Sequence, residues 1–193
     1  VPSVTAKKGT LVRMRHFCQW MIKTGLITRD PAEGLEVEGV VKRGKPKLTR
    51  VEARKLVGHL WGVLESGSDE EREKALAILL LVYCGLRSGE LLRLQSRDLD
   101  MEATPAVIQV ERVAKTTAGF RDFEIPAPIA TALHKRTMDR DLDSWLWPSD
   151  TTSTGHRCAS WILCAVKDAC EAVGVTVTGP QGLRGTHARL CRE

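Results

Sequence analysis

From Ala75 to Val82 the chain reads Ala-Leu-Ala-Ile-Leu-Leu-Leu-Val, without a polar interruption. A helix that is apolar on every side has no face to present to water, so it must lie at the centre of a domain. The run falls far short of the roughly 20 residues needed to cross a bilayer. Ser68 and Glu71 have the spacing of a capping box ahead of it, and Gly85 follows as a stop, which predicts a helix over 69–84. The other elements must wrap this one. A chain of 193 residues can supply one such core with a small appendage.

Leu11, Met14, Cys18, Met21 and Ile22 recur at helical spacing before Gly25, predicting a helix from about 10 to 24. From Glu36 to Lys47 there is no periodicity, and Gly39, Gly44 and Pro46 interrupt the chain, as in a basic linker. Thr49 and Glu52 form a second capping-box pattern ahead of Leu56, Leu60 and Leu64. A short helix is expected from Ser88 to Leu94. Val107–Val113 and Phe120–Ile125 are β-type runs joined as a hairpin. Pro126 and Pro128 open a helix to Met138, Trp161–Val173 outlines a long helix closed by Gly174, and Gly179 starts a last helical segment. The fold class is therefore mainly α with a small antiparallel β-sheet (α+β).

Composition narrows the function classes. The net charge of +5 suits a polyanionic partner, and Lys42, Arg43, Lys45, Lys47 and Arg50 crowd one stretch. Six cysteines show no C-x-x-C pair and no histidine pair at ligand spacing, so neither a metal site nor a disulfide framework is expected. Cys84 and Cys164 read as buried, reduced thiols within helices. Gly39 to Lys45 matches a phosphate-loop pattern by letter, but Pro46 stands where the Mg²⁺-binding Ser or Thr belongs, and no strand precedes it. No nucleotide, cofactor or membrane partner is expected. With no signal-peptide pattern, the location expected is cytoplasmic. The chain opens on Val, which points to a fragment.

Three islands could carry chemistry. In Tyr83-Cys84-Gly85-Leu86-Arg87-Ser88-Gly89-Glu90-Leu91, Arg87 leaves a helix junction where a guanidinium could grip an oxyanion bidentately, with Glu90 to orient it. A structural ion pair locking two helices explains the same residues, and local sequence alone favours it. Lys115, on the hairpin turn, could enter a DNA groove or donate a proton, or be an ordinary solvated turn lysine. Arg184, in Gly179-Pro180-Gln181-Gly182-Leu183-Arg184, opens a helix and could add a second charged fork. His187 reads as a packing or capping residue. Tyr83, the single tyrosine, reads as a helix-core phenol.

In this order the islands resemble the catalytic domain of the tyrosine recombinases, the phage-integrase family. Gly85-Leu86-Arg87-Ser88-Gly89-Glu90-Leu91 matches the family's G-L-R-x-x-E-L junction, with Leu94, Asp98 and Leu99 continuing it. Lys115 followed by Arg121, Glu124, Ile125 and Pro126 matches its hairpin lysine and next strand. Leu146-Trp147-Pro148-Ser149 is similar to its L-F-P segment, and Leu183-Arg184 matches its second arginine. The resemblance implies a site-specific recombinase or integrase that breaks and rejoins double-stranded DNA through a 3′-phosphotyrosine, and that self-associates on DNA. It implies that Arg87 and Arg184 clamp the scissile phosphate, that Lys115 protonates the leaving 5′-oxygen, and that Glu90 supports them. Lys42, Arg43, Lys45, Lys47 and Arg121 are the expected further DNA contacts. It also implies that 1–35 is the end of a helical core-binding domain, 36–47 a basic linker, and 48–193 an incomplete catalytic domain.

Two departures matter. Gln181 stands where the family has His, and an amide cannot exchange a proton near neutral pH. Nine residues follow Arg184, and none is a tyrosine. The chain is therefore expected to lack a nucleophile and not to cleave DNA, as a fragment or as a non-catalytic DNA-binding relative.

Overall fold

A computed structural model describes residues 3–39, 44–110 and 120–192. The chain divides into two units, Val1–Gly44 and Lys45–Glu193. In the first, α1 (Val4–Lys23) starts earlier than the periodicity predicts. Ser3 caps it, its hydroxyl accepting the Ala6 N–H at 3.2 Å, so the helix does not wait for the first apolar residue. Cys18 and Ala32 are buried. The return loop is tied to the helix by Arg15, whose guanidinium donates to the Leu35 carbonyl at 2.6 Å.

The second unit is built around α3 (Asp69–Cys84), in which every residue from Ala75 to Val82 is buried. Against it pack α2 (Arg50–Ser66), α5 (Ala127–Thr137), α6 (Ala159–Ala172) and α7 (Pro180–Leu190), with the short α4 (Ser88–Leu92) following α3 directly. Both capping boxes form. The Glu52 carboxylate accepts the Thr49 N–H, and Glu71 accepts the Ser68 N–H, each at 2.8 Å. A three-stranded antiparallel sheet runs β1 (Leu99–Asp100), β2 (Val107–Gln109), β3 (Asp122–Glu124), with Leu99 opposite Ile108 and Ile108 opposite Phe123. The unit is thus mostly helical with one small sheet, the architecture expected from sequence. The tip of the hairpin, including Lys115, lies outside the described residues, as do Lys42 and Arg43.

Two burial expectations need correction. Cys84 is buried, and burial pushes its thiol up to about 12. Cys164, however, is exposed. The buried residues of α6 are Ile162, Ala165, Val166 and Cys170, and position 164 falls on the opposite side of a 3.6-residue repeat. Tyr83 is not a core phenol but 39% exposed. It stands at the last turn of α3, lining a cavity of about 560 Å³ with Arg50, Arg54, Trp61, His187 and Cys191.

Candidate functional site

The site begins at the end of α3. Gly85 takes a left-handed conformation (φ 58°), and its N–H donates to the Leu81 carbonyl, closing the helix. A side chain here would be strained by that φ and would also collide, since an added Cβ would lie 2.4 Å from His187 Cδ2. His187, on α7, lays its ring against this glycine and places Nδ1 3.0 Å from the Val82 carbonyl oxygen. That oxygen can only accept, so Nδ1 carries a proton. His187 is thus the packing residue that its sequence context suggests.

The sharp turn at Gly85 aims Arg87 away from the core as the residue that caps α4. Glu90, three positions on, is nearly buried, its side chain only 3% exposed. Its carboxylate accepts the Arg87 N–H at 2.8 Å, the Arg87 guanidinium at 2.6 Å and the Arg121 guanidinium at 2.7 Å. Burial pushes the Glu90 acid up, but the Arg87 N–H and the two guanidiniums outweigh it, and the net shift is downward. Glu90 is therefore a carboxylate that orients two arginines, and Arg87 keeps more than half of its side chain (54%) in solvent.

Arg184 arrives from α7. Its guanidinium donates to the Gly85 carbonyl at 2.5 Å, joining it to the same junction. Burial lowers its pKa, and the proximity of Arg87 and Arg121 lowers it further, against an opposing pull from Glu90. These couplings group Arg87, Arg121 and Arg184 near Glu90, three cations beside one carboxylate among the described residues. Like charges held together beside a desolvated surface form a site that gains from an added anion.

The remaining expected residues are scattered. Gln181 is exposed at the second residue of α7. Lys45 and Lys47 are exposed on the approach to α2, and the stem of Lys47 runs along α7, where a Cβ on Gly185 would come 2.9 Å from Lys47 Cε. The structure adds to Arg121 a role that sequence did not give it, as partner of Glu90. No short-range signal could have revealed this pairing, because 31 positions separate the two. Among the described residues no group of three or more His, Cys, Asp or Glu could hold a metal ion, and no helix is long and apolar enough to cross a membrane.

No family model and no curated protein matches the sequence. Solved structures do match. An integrase of the Tn1549 transposon, in complex with a circular-intermediate DNA, is similar over 99% of this chain and 68% of its own, at 18% identity and TM-score 0.74. The site-specific recombinase XerH, bound to a palindromic difH substrate, is similar over 98% of this chain and 54% of its own, at 19% identity and TM-score 0.70. The integrase of mycobacterium phage Brujita is similar over 97% of this chain at 14% identity and TM-score 0.57, and the chain spans 58% of that integrase's length. All are tyrosine recombinases, and the fold shared with them is that of the tyrosine-recombinase catalytic domain.

Proposed function

We propose that the chain is the DNA-binding part of a site-specific recombinase or integrase, and that Arg87, Arg121 and Arg184 form the grip for a DNA phosphodiester. The observation that carries this reading is the gathering of these arginines at one junction, Arg87 and Arg121 on the Glu90 carboxylate and Arg184 on the Gly85 carbonyl. In that role Arg87 and Arg184 bind the non-bridging oxygens, and their charge stabilises the phosphorus as it gains negative charge on attack. Glu90 keeps Arg87 and Arg121 oriented, so little is lost in ordering them when the anion arrives. Lys115 protonates the departing 5′-oxygen, and Lys42, Arg43, Lys45 and Lys47 add contacts to the backbone of double-stranded DNA. The first unit serves as the end of a core-binding domain, and copies of the protein associate on DNA. The chemistry is phosphoryl transfer to a tyrosine and back, which conserves bond energy and calls for neither ATP nor a metal.

A second reading is favoured by Gln181. An exposed amide stands where the family has an imidazole, and it can hydrogen-bond a phosphate but cannot relay its proton. This fits a protein that holds DNA without cleaving it.

Both readings require a phosphate grip, and one measurement addresses it. Titrated with duplex DNA at fixed salt, Arg87→Ala and Arg184→Ala should each lose about tenfold or more in affinity, the worth of a charge-assisted hydrogen bond, while staying folded. Affinity equal to the wild type in both variants would remove the assignment. DNA cleavage by the unaltered chain would decide against the non-catalytic reading.

A further inference from the structure

We propose that Glu52 is a positioning residue for the phosphate grip, fixing the approach to α7 and with it the point where Arg184 meets the Gly85 junction. The inference rests on the reading of Arg184 given above. In an ordinary capping box the carboxylate serves its own helix alone. Glu52 divides its work. Its Oε2 accepts the Thr49 N–H and hydroxyl, both at 2.8 Å, which closes the start of α2. Its Oε1 accepts the N–H of Thr176 at 2.9 Å and the Thr176 hydroxyl at 2.6 Å. Thr176 belongs to the short connection between α6 and α7, so one carboxylate joins the first turn of α2 to the segment that delivers Arg184.

Neighbouring contacts show that this segment is seated closely. The Thr178 hydroxyl donates to the Pro46 carbonyl at 2.6 Å. The Leu48 N–H donates to the Thr186 hydroxyl at 2.9 Å, and that hydroxyl donates to the Gly182 carbonyl within α7. A Cβ on Gly182 would fall 2.3 Å from the Pro46 carbonyl oxygen, so the 46–48 backbone lies directly on the helix. The four bonds to Glu52, led by the Thr176 hydroxyl, also hold its acid down to about 2, as expected of a carboxylate whose acceptor sites are well filled.

Glu71 supplies a matched control. It closes the capping box of α3 in the same way, accepting the Ser68 N–H at 2.8 Å and hydroxyl at 2.7 Å, with only Ser68 as hydrogen-bond partner among those described for it. The experiment is a duplex-DNA titration of the whole chain, with melting curves, for Glu52→Ala, Glu71→Ala, Arg184→Gln and the Glu52→Ala/Arg184→Gln double variant. Glu52→Ala should weaken DNA binding about fivefold while Glu71→Ala leaves it within twofold, and the Glu52 effect should vanish when Arg184 is already gone, because coupled residues are not additive. A Glu52→Ala affinity equal to wild type, or an undiminished Glu52 effect in the Arg184→Gln background, would overturn the proposal. Should Glu52→Ala fail to fold, Thr176→Val removes one of the four bonds and keeps the cap. Its expected loss is about twofold, and no loss would be equally fatal. A wild-type chain with no affinity for DNA would instead sink the grip itself, and this inference with it.

Discussion

Two clusters in this domain have the same formula, one glutamate taking two arginines, yet they differ in what covers the guanidiniums. Glu73, on α3, pairs with Arg136 at 3.2 Å and Arg157 at 3.5 Å. Arg136 lies over the ring of the fully buried Trp147, and Arg157 over Trp161. Arg136 also donates to the Leu146 carbonyl at 2.7 Å and is only 18% exposed. Stacked and hydrogen-bonded in this way, a guanidinium is consumed by the fold. At Glu90 the carboxylate is still more deeply buried, and Arg121 is covered in the same way, lying over the Phe123 ring and 26% exposed. Arg87, however, is left 54% in solvent, and Arg184 arrives from another helix. The first cluster is closed and balances local packing. The second is open at Arg87 and gathers a third arginine among the described residues. Ion-pair stoichiometry alone therefore does not mark a binding site; an exposed guanidinium with a further arginine brought beside it does.

The largest expected effect separates the clusters by stability. Glu73→Ala leaves the largely covered Arg136 and the part-exposed Arg157 without their carboxylate and should cost about 3 kcal/mol in urea unfolding. Its DNA affinity should stay within twofold, and a folded Glu73→Ala protein that has lost DNA would erase the distinction drawn here. A smaller effect lies in the salt dependence. For Arg87→Gln the plot of log affinity against log salt should flatten by about one unit, as for the loss of one phosphate contact, whereas Glu73→Ala should keep the wild-type slope.

The smallest effect is in acid. The Glu90 acid is held below its ordinary value, so its contribution to stability is present above about pH 4.5 and is lost as pH falls through the folded value. Glu90→Gln should therefore show a shallower decline of unfolding free energy below about pH 4.5 than the wild type. An unchanged acid limb would mean that Glu90 is not the oriented carboxylate described above.

What the sequence made legible was short in range. The central helix follows from an unbroken apolar run, both capping boxes from a three-residue spacing, and Glu90 as partner of Arg87 from the same spacing. Each depends on one turn of backbone, which sequence spacing determines directly. The pairings of Arg121 with Glu90 and of Arg136 and Arg157 with Glu73 join separate elements, and no local pattern encodes them. Tyr83 departs from its expected burial for a related reason. The apolar run suggested a helix covered on all sides to its end, but its last turn emerges beside the cavity between α2 and α7. Cys164 failed differently, because the apolar stripe of α6 that excludes it was already visible.

Arg184 is anchored on the carbonyl of Gly85, which is backbone. Replacing a residue cannot delete a carbonyl, so this anchor is shielded from the commonest form of genetic change. It can be lost only by moving the chain, and position 85 resists that too, since its φ and the His187 ring leave room for glycine alone. The coding burden of the anchor thus falls on Gly85 and His187 as a pair. Loss of the His187 ring would not free position 85, because its φ would still strain any side chain placed there.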